Sequence, residues 1–142
     1  MTKQEIFDKC SQAGIFQVAT VDGKQPHVRT VMLYRADENG IVFHTAEFKD
    51  LYKQIKENPK AEFCFNCKNE MIRVTGDLEI IDDMDFKKEI VAHPSRGFLR
   101  AWLENDVMPD FWNNLKIIRM IHGKATVWSM EKNFEPKEYI QL

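Results

Sequence analysis

Two apolar runs with strand character flank the dipeptide Asp22-Gly23: IFQVATV, from Ile15 to Val21, and the stretch carrying Val28, Val31, Met32 and Leu33. Asp-Gly tolerates the left-handed backbone of a tight two-residue loop, so it predicts that the chain reverses there into an antiparallel pair. A third strand follows DENG, from Ile41 to Thr45, and AEFCFNC and MIRVTGDLEII read as two more. LKIIRMIHGKATVWSM reads as a closing strand pair turning at Gly123, and EKNFEPKEYIQL as a tail.

Helical signals are fewer. Thr2 and Glu5 form a capping box ahead of Ile6, Phe7 and Cys10, which predicts a helix over residues 3 to 13. Leu51, Tyr52 and Ile55 share one side of a polar segment that stops at Asn58-Pro59, predicting a helix over 50 to 57. Residues 83 to 115 lack alternation and read as helices and loops, with a helix near 84 to 91 whose first turn carries Asp82, Asp83 and Asp85. MPDFW there reads as an aromatic packing or dimer cluster. The sum is a mainly β (α+β) fold, one domain over 1–142: an antiparallel barrel or closed sheet of six to seven strands with flanking helices.

The 142 residues are 44% hydrophobic and 30% charged, with a net charge of -2. That balance fits a globular chain and gives no general attraction to nucleic acid or an anionic membrane. No apolar run approaches the roughly 18 residues of a membrane span. MTKQEIFDKC reads as an amphipathic helix rather than a signal peptide, so the cytoplasm is the expected location.

Arg29 lies inside the second strand, where a cation needs a partner. If the turn ADENG pairs Tyr34 with Val42, Val31 sits opposite Thr45, and Arg29 falls beside the start of the helix near Lys49. Guanidinium, threonine hydroxyl, helix amides and lysine would then converge, a combination suited to phosphate. The competing reading is an ordinary ion pair of Arg29 with Glu47 or Asp50 at a sheet edge.

Cys64 and Cys67 have C-x-x-C spacing, but residues three apart on a strand point to opposite faces, and no second half-site stands elsewhere. Cys64 is expected in the core and no metal is assigned. With Cys10 the cysteines are odd in number, which argues against a disulfide framework. His122 before Gly123 reads as a turn residue. No hydrolase elbow, Walker loop or G-x-G-x-x-G is present.

ATVDGKQPHVRTVMLYRADENGIVFHT, then KDLYKQIKENPKAEF, then IRVTGDLE together resemble the pyridoxamine 5'-phosphate oxidase-like flavoproteins, in particular their small general-stress-protein-like members. The likeness is best over residues 15 to 80. It implies a split β-barrel homodimer with FMN at the subunit interface. Arg29 would meet the FMN phosphate, and backbone groups of Thr30, Val31, Met32 and Leu33 the flavin ring. His44 and Thr45 match the family's aromatic-Thr pair. The commonest position of a second phosphate-binding basic residue falls on Leu51, which leaves Lys49 as the candidate. Trp128, in TVW, matches a tryptophan that packs on the flavin from the partner chain; its alternative is a core or interface aromatic. Met71 stands where the oxidase has a glutamine.

The substrate side departs from the family. The Lys, Tyr, Arg and Ser that clamp the substrate phosphate in the oxidase correspond here to Tyr34, Glu89, His93 and Gly97, and the late Arg-x-His has no counterpart. The resemblance therefore implies an FMN-dependent oxidoreductase that is not a vitamin B6 oxidase. It needs no general base, and its catalytic residues and small-molecule substrate are unassigned. The alternatives are a non-catalytic flavin or haem-type binder in stress response and a deazaflavin-dependent reductase.

Overall fold

The computed structural model describes all 142 residues. Helix α1 (Lys3–Ala13) opens on the Thr2/Glu5 capping box and stops at Gly14, whose left-handed φ of 72° ends the helix. Strands β1 (Ile15–Asp22) and β2 (Gln25–Met32) form the hairpin that Asp22-Gly23 predicts, in register Val18 opposite Arg29. Then follow β3 (Arg35–Asp37), β4 (Gly40–Ala46), α2 (Asp50–Glu57), β5 (Lys60–Cys67) and β6 (Glu70–Ile81). Helix α3 (Met84–Ala92), a 3-10 turn (Pro94–Arg96), α4 (Gly97–Glu104) and α5 (Phe111–Asn114) cross the nonalternating region. Strands β7 (Leu115–Met120), β8 (Lys124–Ser129) and β9 (Ile140–Gln141) complete the chain.

All nine strands join one antiparallel sheet with the path β2-β1-β5-β6-β7-β4-β3; β8 branches from β6, and β9 pairs with β8. Its two ends, β2 and β3, are not bonded to each other, so the barrel is split rather than closed. The long β6 makes this possible. Its residues 70 to 75 pair with β8, while Leu78 to Ile81 pair with β7. Gly76 sits at the changeover, where an added Cβ would lie 3.0 Å from the Met120 sulfur. A glycine permits both the bend and the close packing.

Apolar side chains fill two regions. The larger lies inside the barrel, where Phe16 stacks on Phe65 at 4.5 Å between centroids and meets Phe63 and Phe43 edge-on; α1 adds Ile6, Phe7 and Cys10. The smaller packs Ile90, Val91, Leu99 and Phe111 of the helical region on Val42, Ala46 and Ile117. MPDFW contributes Met108 and Phe111 to it.

Several expectations are corrected. There are nine strands, not six or seven. Strands β7 and β8 are not a hairpin: each pairs with a different half of β6. Gly123 serves close approach, because a Cβ there would lie 2.6 Å from Val74 Cγ1, while His122 takes the left-handed φ of 60°. The tail is not bare, since β9 pairs with β8. The conjectured register also fails. Val42 faces Arg35, one residue off, although the Tyr34 N–H still donates to the Val42 carbonyl (2.8 Å); Val31 faces Phe16 rather than Thr45, because the chain breaks between Met32 and Arg35 and restarts as β3. Cys64 is half-buried, on the face of β5 opposite Phe63 and Phe65; it is Cys10 that is enclosed.

Candidate functional site

An open cavity of about 390 Å³ lies where β2, β4 and α4 approach one another. Its walls are Thr30, Val31 and Met32 of β2, His44, Thr45 and Ala46 of β4, Phe48 and Lys49 of the turn into α2, and Phe98, Leu99 and Trp102 of α4, with Val107, Met108 and Leu115. The size is ordinary for a small-molecule site, and apolar walls with a few polar groups are the usual pattern. Six of the sequence-predicted residues thus meet in one place: Thr30, Val31, Met32, His44, Thr45 and Lys49. Lys49 precedes the first turn of α2, whose amides receive no capping bond from its side chain.

Arg29 points elsewhere. Alternation along β2 turns it from Thr30 toward β1 and α2, into a neighbouring cleft shared with His27, Asp50, Lys53 and Glu57. Its guanidinium donates to Thr20 Oγ1 (2.6 Å) and Gln54 Oε1 (2.7 Å), with a long contact to the Val18 carbonyl (3.5 Å). All three acceptors are neutral, so the ion pair with Glu47 or Asp50 is not formed. Burial depresses its pKa, and Asp50 opposes that effect.

Leu33 is largely buried, its N–H bonded to the Gly14 carbonyl and its C=O to Arg96. Trp128 lies apart on β8, opposite Met71, with its indole N–H donating to Asn133 Oδ1 (2.9 Å); it lines a groove with the tail. Within one chain it does not face the cavity.

Behind the cavity stands a residue that sequence reasoning missed. Arg96 is only 2% exposed. Its Nε donates to His44 Nε2 (2.9 Å), its Nη2 to the Leu33 carbonyl (2.8 Å) and its Nη1 to Ser95 Oγ (3.1 Å). The guanidinium also lies over the rings of Tyr34 and Phe98. Burial, and then the Arg96 charge, push the His44 pKa down to about 4. HPSRGF offers no periodicity to flag this arginine; the one usable signal is a cation in a short connection between apolar helices.

The four positions matched to a substrate clamp also gather here. Tyr34 donates to Glu89 Oε2 (2.8 Å) and meets the His93 ring edge-on at 5.4 Å, and Gly97 begins α4 beside Arg96. Burial and the Glu89 bond raise the Tyr34 pKa to about 12.

The family profile described as pyridoxamine 5'-phosphate oxidase matches residues 2–111, most of the chain. The chain belongs to that family. A pyridoxine/pyridoxamine 5'-phosphate oxidase from Aliarcobacter butzleri is 34% identical over 101 residues, covering 68% of this chain and 47% of the relative. The chain thus spans about half the length of the curated oxidases it matches. Among solved structures, a NimC/NimA family protein from Clostridium acetobutylicum superposes with a TM-score of 0.74 at 25% identity, over 99% of this chain and 93% of that one. A pyridoxamine 5'-phosphate oxidase-related, FMN binding protein from Nostoc punctiforme gives 0.66 at 18% identity, over 98% and 94%, which supports the split-barrel fold alone.

Proposed function

We propose that this family member is an FMN-dependent oxidoreductase, working as a homodimer, that does not oxidise vitamin B6 phosphates. The observation that carries the flavin reading is the cavity, where an unpaired strand edge meets apolar walls and a lysine without an ion-pair partner. Such walls suit a planar aromatic ring, and β2 has a free edge of main-chain donors and acceptors beside it. Arg29 is hydrogen-bonded to neutral acceptors only and forms no ion pair, which leaves its guanidinium fork available to phosphate. Lys49 is the second cation.

Met32, Phe48, Trp102 and Val107 rim the cavity and are 40% to 61% exposed. A second copy covering that rim would enclose the ring, and by the family resemblance its Trp128 would pack on the flavin. When bound, the flavin supplies hydride transfer at N5. The chain's task is to orient the ring, exclude water and leave one face open. At the clamp positions, Glu89 is tied to Tyr34 where the oxidase has cationic and hydroxyl groups for a dianion, which favours a different substrate.

The deciding experiment is titration of the purified protein with FMN and with riboflavin, followed by absorption spectroscopy. Tight FMN binding, reduction of the bound flavin by NAD(P)H and no turnover of pyridoxamine phosphate are expected. A protein that takes up neither flavin overturns the proposal, and flavin that binds but is never reduced points to a carrier.

A further inference from the structure

Arg96 and His44 are linked by a bond with only one chemical reading. A guanidinium has donors alone, so His44 Nε2 must be the acceptor, carrying no proton. A neutral imidazole then has its proton on Nδ1. That atom has no partner in the chain and is not among the enclosed, unsatisfied atoms. His44 lines the cavity, so the cavity is the space from which a ligand would meet that proton.

The charge behind the ring is equally unusual. Arg96 has three neutral acceptors and no carboxylate within ion-pair range. An unpaired buried guanidinium is strongly unfavourable unless an anion compensates it. Glu89 is on the far side of Tyr34, bonded to its hydroxyl and 4.0 Å from Arg35. The other charged or titratable groups around the pair are Tyr34 itself, Lys49 on the cavity wall, His93 behind Tyr34, and Arg100, which donates to the Val91 and His93 carbonyls. None of these neutralises Arg96.

We propose that Arg96 is a positioning residue that locks His44 with its proton on Nδ1, giving the cavity a neutral N–H donor backed by buried positive charge for an anionic oxygen acceptor. This deepens the flavin reading and rests on the same cavity: the acceptor belongs either to the bound cofactor or to a carboxylate-type substrate. A cationic or purely donating ligand end is disfavoured at that wall.

The test begins with the flavin-free wild-type protein. Side-chain 15N NMR should show His44 as the Nδ1–H tautomer with no titration near its ordinary pKa. Benzoate should shift that resonance, whereas benzyl alcohol should not. In Arg96→Met, the tautomers should mix, the pKa should rise toward the ordinary value, and benzoate affinity should fall at least about tenfold; Arg96→Lys should restore part of it. Wild-type His44 with its proton on Nε2, or benzoate affinity unchanged in folded Arg96→Met, overturns the proposal. Should Arg96→Met not fold, the wild-type tautomer and the Arg96→Lys affinity decide the matter.

A second arm separates the sources. If FMN shifts the Nδ1–H resonance and blocks benzoate, the cofactor takes the donor. If benzoate still binds the FMN-loaded protein and shifts it, the substrate does. Neither ligand moving it sinks the acceptor claim. Failure of FMN to bind would end the flavin reading but leave the tautomer result standing.

Discussion

At the scale of single residues, Arg29 and His44 make opposite demands. Thr20 Oγ1 also donates to Gln54 Oε1 (2.6 Å), so removing the guanidinium leaves that buried pair satisfied. Arg29→Ala should therefore fold, and should weaken FMN binding by roughly 10- to 100-fold with much less effect on riboflavin, measured by fluorescence titration. Equal losses for both would assign Arg29 to the scaffold. His44 governs acid stability. Its folded pKa of about 4 lies below the unfolded value of about 6.5, so between them the unfolded chain binds a proton that the folded chain refuses. Stability present above about pH 6.5 is lost as pH falls toward 4, by up to about 3 kcal/mol. His44→Gln keeps an acceptor for Arg96 and should flatten that slope in urea melts at about pH 7 and about pH 4.5. Arg29 was legible in the sequence because a cation interrupts an apolar run. Arg96 was not, since its meaning depends on His44, 52 residues away in the chain.

Elements were legible where a period, a cap or a turn residue announced them, as with α1, β1 and the hairpin that reverses just after Asp22, at Gly23-Lys24. Pairing was harder to read, because a period of two tells which residues share a face and nothing about which strand lies alongside. Strands β7 and β8 show this: adjacent in sequence, they are separated by the bend of β6. The Gly123 packing can be tested. Gly123→Ala places a methyl against Val74 and should lower stability by about 1–3 kcal/mol. Adding Val74→Ala should recover part of that loss, and strictly additive effects in the double-mutant cycle would argue against direct contact.

For the whole molecule, the split barrel leaves an apolar rim around a cavity that one chain does not enclose. The proposed dimer predicts that Trp102→Asp, on the exposed side of α4, shifts sedimentation toward the monomer and lowers FMN affinity together. A monomeric variant with unchanged affinity would place the cofactor within a single chain. Family and fold class were legible from the order of short motifs, while the division of Arg29 and Lys49 between two clefts required the true register of β2.

That strand carries one more consequence. Pro26 removes a main-chain donor near the start of β2, which blunts the edge next to the hairpin. The stretch from Thr30 to Met32 has no such guard, and it is the part that borders the cavity. Uncovered, it is a template on which another extended chain can add a strand, so whatever fills and caps the cavity also keeps this protein from aggregating.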